Sequence, residues 1–268
     1  MIVDVQSLVD QRHIAIEEVG ICAISHPVQW RNKSGEAQTS IGQWTMGVAL
    51  PAERKGTHMS RFIMLMNEAA QPLDARVVAS LHQQMLQNLE AHSGHLRISY
   101  ELFLKKIAPV SGLASLMSYD FAWDVSNSHA TNSGSTAGVN MEVGVAVTSL
   151  CPCSKAISEY GAHNQRSMIK VILRLAVDSN LFPEDVIAAV ESQGSSELWA
   201  LLKRGDEKFI TERAYDNPKF VEDLVRDVAI ALGKLPGVSA WSAQAENFES
   251  IHRHNVYARV RSANFFQN

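Results

Sequence analysis

The sequence predicts an α+β fold built from two successive β-β-α-α-β-β modules, with antiparallel sheets whose helices lie on one face. Three observations predict it. Runs in which apolar and polar residues alternate come in pairs before and after helical stretches, in both halves of the chain. That alternation leaves each strand one polar face, the pattern of antiparallel sheets covered by helices on one side only. Between the halves, Ser126-Asn-Ser-His-Ala-Thr-Asn-Ser-Gly-Ser-Thr-Ala-Gly138 breaks all periodicity and reads as a linker, so the expected modules are 1–130 and 131–268. The halves share an order of elements rather than identical residues, which suggests duplication.

The first half opens with strands near Ile14–Ile24 and Trp44–Leu50, the latter placing Trp44, Met46, Val48 and Leu50 on one face. Cys22, in the apolar run Val19-Gly-Ile-Cys-Ala-Ile24, is expected in the core. A helix is expected to begin within Lys55-Gly-Thr-His-Met-Ser-Arg-Phe62, with Thr57 as its N-cap. A second helix follows Pro72, carrying Val77, Val78, Leu81, Met85 and Leu89 on one stripe. Two strands complete the half. Ile98, Tyr100, Leu102 and Leu104 face inward in one, and Met117, Tyr119, Phe121, Trp123 and Val125 in the other.

The second half predicts strands Met141–Thr148 and Met168–Val177, then helices near Pro183–Glu191 and Ser195–Leu202. Lys203 to Pro218 is dense in mixed charge and poor in apolar patterning, the composition of a solvated loop. A further helix is expected with Asn217 as N-cap, Pro218 in its first turn, Val221, Leu224, Val225, Val228 and Leu232 inward, and Gly233 past its end. Within it, Glu222 and Arg226 have the spacing of an i,i+4 ion pair. Strands near Val238–Phe248 and Val256–Arg261 close the chain.

Composition narrows the function classes. With 268 residues, a net charge of -4 and 19% charged residues, the chain can bury a real core and carries no basic excess for a nucleic-acid backbone. No apolar run approaches the roughly 20 residues needed to span a bilayer, and the first residues lack a basic-then-apolar leader pattern. The expected setting is the cytoplasm, without nucleic-acid or membrane partners, where thiols stay reduced.

Two of the three cysteines stand in Cys151-Pro-Cys-Ser-Lys-Ala-Ile-Ser-Glu-Tyr-Gly-Ala-His163, between two strand patterns. A disulfide between such close neighbours is strained. Soft sulfur beside imidazole is instead a donor set for a divalent transition metal. The same residues also fit a buried thiol pair with a satisfied histidine. Glu249-Ser-Ile-His-Arg-His254, between the last two strands, adds two histidines and a carboxylate. Phosphate-binding glycine motifs and a nucleophile elbow are missing, so a phosphorylated ligand would depend on cations such as Lys55, Arg61, Lys203 and Arg204 and on helix N-termini.

Four motifs in order carry a resemblance. Ser149-Leu-Cys-Pro-Cys-Ser-Lys155 with Tyr160-Gly-Ala-His-Asn-Gln-Arg-Ser167, the Lys55–Phe62 segment, Asp206–Asp223, and Glu246-Asn-Phe-Glu-Ser-Ile-His252 resemble GTP cyclohydrolase type IB nearly end to end. The resemblance implies the tunnelling fold, here two modules per chain, and a homotetramer with active sites at subunit interfaces. It implies hydrolytic opening of the GTP imidazole ring at C8, with release of formate and formation of 7,8-dihydroneopterin triphosphate, the first step of folate biosynthesis. It further implies a divalent metal (manganese, zinc or iron) on Cys153, His163, Glu207 and His252, with Cys151 as alternative ligand or catalytic thiol. The C-x-C spacing does not separate the two cysteines. Glu222 resembles the carboxylate that anchors the guanine ring, and Lys55, His58 and Arg61 are the expected triphosphate contacts. Arg253 and Asn255, around His254, are given no role.

Two other readings compete with this one. A tunnelling-fold nitrile reductase would need NADPH and no metal. A structural zinc oligomer would need four compactly spaced ligands, whereas these are spread along the chain and mixed with carboxylates.

Overall fold

The computed structural model describes residue 6 and residues 8–127 and 138–266. Its elements are β1 (Ile16–Arg31), β2 (Ala37–Leu50), α1 (Met59–Glu68), α2 (Ala75–Leu89), β3 (Gly94–Ile107), β4 (Ala114–Asn127), β5 (Gly138–Leu150), α3 (Pro152–Ile157), β6 (Asn164–Leu175), α4 (Pro183–Glu191), α5 (Arg204–Asp216), α6 (Val221–Leu232), β7 (Val238–Asn247) and β8 (Val256–Arg261). The strands follow one another in the sheet in chain order, β1 to β8. The fold is α+β with two rounds of paired strands, helices and paired strands, as the alternation predicts. The linker residues 128–137, and with them the expected boundary at 130/131, lie outside the described residues. No described helix is long and apolar enough to cross a membrane.

Contacts divide the chain into two compact units, one of Met1–Tyr100, Ala122–Met141 and Leu175–Ser179, the other of Glu101–Phe121, Glu142–Arg174 and Asn180–Asn268. β3, β4, β5 and β6 each contribute residues to both.

In the first unit, Trp44, Met46, Val48 and Leu50 of β2 are buried as predicted, together with Phe62 and Leu65 of α1 and Val78, Leu81 and Met85 of α2. Asp74 caps α2, its Oδ1 accepting from the Val77 amide at 2.8 Å. α1 begins one residue later than expected: His58, not Thr57, is its N-cap, and Thr57 is buried. Cys22 is exposed rather than in the core. The β1–β2 register shifts between Ile21 and Ile24, and Ala23 adopts a left-handed φ of 57°. The extra residue of this bulge resets the alternation, so Cys22 and Ala23 both face outward. Beyond the bulge the pattern recovers, and Val28 and Trp30 are buried.

In the second unit, α6 packs on β7, β8 and α4. Val186, Ile187, Val190, Leu224 and Val228 are buried from the helices, and Val143, Val145, Val147, Ile169 and Val171 from the strands. Three expectations fail here, each for a physical reason. Residues 195–202 are not a helix, because neighbouring strands take their backbone groups. The Thr148 amide donates to Ser196 O, the Ser195 amide to Thr148 O, and Lys106 Nζ to Leu198 O at 2.7 Å. The Lys203–Pro218 stretch is no solvated loop but forms α5, anchored by Asp206, whose side chain is fully buried. Asp206 accepts from the Val110, Ser111 and Lys203 amides, each at 2.8 Å, and from Ser111 Oγ at 2.6 Å. Burial alone would raise this carboxyl; those hydrogen bonds outweigh burial and hold it well below the usual range. Asn217 is therefore the C-cap of α5, and α6 starts later, with Phe220 as N-cap.

The strand faces away from the helices carry charge. In the first unit, His95 Nε2 donates to Asp124 Oδ2 at 2.9 Å, and Arg97 adds a contact to the same oxygen at 3.2 Å. The Asp124 hydrogen bond raises the His95 pKa against the opposing effect of burial. Burial raises Asp124, but its bonds to His95 and Arg97 prevail and lower it. A histidine with a raised folded pKa adds stability that is complete below its unfolded value of about 6.5 and is lost as pH climbs through the folded value. The depressed carboxylate sets the lower bound, near its unfolded value of about 3.9. We therefore expect His95→Gln to lower stability more at pH 5 than at pH 8.5 in urea unfolding. An equal loss at both would show that the ion pair adds nothing.

Candidate functional site

The Cys151–His163 segment joins β5 to β6. Pro152 occupies the first turn of α3, where its missing amide hydrogen costs nothing. Cys151 is the N-cap, its Sγ accepting from the Ser154 amide at 3.5 Å. The segment is closed on itself at two points. The Cys151 amide donates to His163 O at 3.1 Å, and Ser154 Oγ bridges the same two residues. That hydroxyl donates to Cys151 O at 3.1 Å and accepts from the His163 amide at 3.2 Å. Cys151 is half-buried and Cys153 exposed, with no disulfide between them.

The His163 ring is oriented by its neighbours. Its Nδ1 lies 2.9 Å from Oε1 of the buried Gln165 and 3.3 Å from Ser250 Oγ. An amide oxygen only accepts, so with Oε1 as partner Nδ1 donates and Nε2 keeps the lone pair, the tautomer a metal-binding imidazole takes. Ser250 also brings the loop after β7 to this corner, helped by the Phe248 amide donating to Arg166 O at 2.9 Å. His252, on that loop, is exposed and stacks on His254 with ring centroids 5.1 Å apart.

Thus Cys151, Cys153, His163 and the His252 loop share one corner of the second unit. Glu207 does not join them. It is exposed on the first turn of α5, whereas α3 meets that helix at its far end, where Lys155 lies over the Tyr215 ring at 4.2 Å and bonds to Tyr215 O. Among the described residues, no group of three or more His, Cys, Asp or Glu side chains stands close enough to hold a metal ion. The case for a divalent metal rests instead on donor chemistry at the Cys/His corner, two thiols and an imidazole whose Nε2 keeps its lone pair.

Glu222 is exposed on the first turn of α6, where a carboxylate complements the helix dipole. The expected pairing with Arg226 is not made; Arg226 lies 3.7 Å from Asp223 instead. In the first unit, His58 and Arg61 line a polar cavity of about 280 Å³ together with Arg54, Thr57 and Glu90. Lys55 is exposed and is not one of its lining residues. Arg61 donates to Asn88 O at 2.6 Å, and Arg54 pairs with Glu90 at 2.6 Å.

Sequence reasoning missed Ser154, Gln165, Ser250 and Arg54. All four lie within or beside motifs it had singled out, but Ser154, Gln165 and Ser250, as uncharged hydrogen-bonding residues, give no spacing signal of their own. Arg54, next to the predicted Lys55, was legible as a cation.

The sequence model of the family described as type I GTP cyclohydrolase FolE2 matches residues 2–258. The GTP cyclohydrolase FolE2 of Bordetella petrii is 50% identical over 258 residues, covering 96% of this chain and 95% of the relative. That of Paraburkholderia phymatum is 51% identical over 259 residues, covering 97% and 94%. Among solved structures, uricase from Arthrobacter globiformis is similar with a TM-score of 0.51 at 9% identity, covering 91% of this chain and 92% of that one. A Bacillus sp. TB-90 urate oxidase mutant gives 0.50 at 6% identity, covering 92% and 99%. These structural likenesses show the tunnelling fold alone. The description the family match supports is FolE2, in place of the type IB label drawn from the motifs. On these matches, the chain belongs to the type I GTP cyclohydrolase FolE2 family.

Proposed function

We propose that this protein opens the imidazole ring of GTP at C8 by hydrolysis, releases formate, and recloses the product as 7,8-dihydroneopterin triphosphate, a hydrolase step at the head of folate biosynthesis. The observation that carries the reading is the Cys/His corner, a loop whose backbone Ser154 closes and whose imidazole Gln165 orients, in a chain of this family. Net, one water is consumed per GTP and formate leaves with C8.

Each residue then has a task. Cys151 or Cys153, with His163 and His252, would hold a divalent metal (manganese, zinc or iron), and Glu207 is the expected carboxylate ligand. When bound, that metal supplies water acidic enough to deliver hydroxide near neutral pH. Gln165 accepts the His163 Nδ1 proton and so leaves Nε2 as the nitrogen with a lone pair to offer. Glu222 would accept hydrogen bonds from guanine N1–H and the 2-amino group, a task open to it because Arg226 pairs with Asp223. His58 and Arg61, with Lys55 nearby, would bind the triphosphate. Assembly as a homotetramer with sites between protomers, in the cytoplasm and without nucleic acid or membrane, completes the reading.

Purified protein given GTP and manganese should yield formate and, after oxidation, fluorescent neopterin, and a chelator should abolish both. Product formed with chelator present, or only with NADPH, would overturn the assignment. Arg61→Ala and Lys55→Ala should each raise KM for GTP severalfold with little change in kcat, since a remote phosphate contact is made equally in ground and transition states. Because Arg61 lines the cavity and Lys55 does not, Arg61→Ala should have the larger effect. An unchanged KM in both variants would remove this segment from the substrate site.

A further inference from the structure

β5, β6 and β7 change character as they approach the candidate site. Their inward positions are apolar along most of their length, as at Val147, Ile169 and Ala245. One inward step further on, each ends in a polar residue: Ser149, Ser167 and Asn247, exposed at 0%, 0% and 3%. These three are joined. Ser149 Oγ and Ser167 Oγ are 2.5 Å apart, and Ser167 Oγ donates to Asn247 Oδ1 at 2.7 Å. A hydroxyl has a single proton, so the Ser167 bond to Asn247 fixes Ser149 as donor to Ser167. The chain therefore runs one way, Ser149 to Ser167 to Asn247.

Its position matters as much as its burial. Ser149 lies just before Cys151, Ser167 just beyond His163 and Gln165, and Asn247 just before the loop of Ser250 and His252. Each strand thus carries one polar link and then one part of the Cys/His corner. The strand pairing itself is set by the backbone ladder and the packed core. The side-chain chain adds a directional constraint at the strand ends: each hydrogen bond works only over a narrow distance range, and a buried hydroxyl left without a partner is strongly disfavoured.

We propose that Ser149, Ser167 and Asn247 are positioning residues for the reaction, a buried hydrogen-bond chain that fixes the ends of three strands at one level and so holds the two cysteines, His163 and the His252 loop in register. This rests on the reading of that corner as the metal-binding and reacting site. The chain touches no substrate and acts only through the residues it aligns.

The test uses full-length protein in a Cys22→Ser background, so that only Cys151 and Cys153 report as thiols. Ser149→Ala, Ser167→Ala and, as a matched core control in the same strand, Val171→Ala are compared with the parent. Three quantities are read: cobalt(II) affinity of metal-free protein, the rate of thiol modification, and kcat and KM for GTP. Ser167→Ala, which breaks both bonds, should weaken cobalt binding about tenfold or more, the scale seen when partners of metal ligands are removed. Its thiols should react severalfold faster, and its kcat should fall while KM holds. Ser149→Ala, which leaves the Ser167–Asn247 bond, should lie between. Val171→Ala should lose thermal stability with cobalt affinity and thiol rates intact. The proposal is overturned if Ser167→Ala matches the parent in both, or if Val171→Ala shifts both as far. Should Ser167→Ala fail to fold, Ser149→Ala against Val171→Ala decides on the same criteria. A parent that binds no cobalt would sink the metal reading instead, and the thiol rates alone would then judge the positioning role.

Discussion

The closure of the β5–β6 connection is the constraint on which the candidate site depends. A tight turn would join the two strands with nothing between them. Here residues 151–163 leave the sheet, turn once as α3 and return, and the Cys151 amide still finds His163 O. What makes that detour rigid is Ser154. Its hydroxyl sits between the carbonyl of Cys151 and the amide of His163, using its proton on one and a lone pair on the other. A loop carrying two cysteines and a histidine is thereby held as a small closed frame. Side chains that must act together are best fixed by partners that are themselves fixed, and Gln165 extends the frame to the imidazole.

Burying charge gives the second unit its other fixed points. Lys106 Nζ lies 2.7 Å from Glu191 and 4.6 Å from the Trp199 ring centre, and Tyr119 donates to the same carboxylate at 2.8 Å. Desolvation raises the Glu191 pKa, against the pull of Lys106 and Tyr119. Such networks often add little net stability, because desolvation offsets the attraction. Their effect is to exclude alternatives: residues 195–202 would leave Lys106 without its carbonyl and aromatic partners if they wound into a helix. Asp206 acts likewise on α5. Its carboxylate ends the helix start at Lys203 and ties it to the turn at Val110 and Ser111, so the helix bearing Glu207 begins at one defined place.

What the sequence made legible was what periodicity and residue chemistry encode. The order of the eight strands, the buried faces of β2 and α2, and β8 at Val256–Arg261 follow from spacing alone. The Cys/His corner stood out because cysteine is rare in this chain. The failures share a different cause: a partner distant in sequence decided the local structure. Cys22 lost its place in the core to a bulge that only the pairing with β2 reveals. α5 looked like a loop because its anchor is one buried aspartate rather than an apolar stripe. Asn217 has the residue type and the following proline of an N-cap, yet it ends α5, and its side chain donates to Gly194 O at 2.9 Å. The links between the motifs were invisible for a related reason: serine, glutamine and asparagine read as surface residues until burial shows them joined.

Glu207 carries the argument about assembly furthest. Tyr215, which Lys155 of α3 grips, and Glu207 are separated by eight residues of helix, about 12 Å along its axis. A rotamer change does not span that distance. If Glu207 completes the donor set at the Cys/His corner, it therefore reaches it either by a large movement of α5 or from the α5 of another protomer. Movement would break the four hydrogen bonds at Asp206 and leave a buried carboxylate without partners, among the least favourable changes a folded chain can make. A second protomer asks nothing of the kind, because Glu207 is already exposed on a helix end that its own chain holds still. For Glu207 as the proposed ligand, the anchoring of α5 is thus easier to reconcile with the proposed site between chains than with closure within one chain.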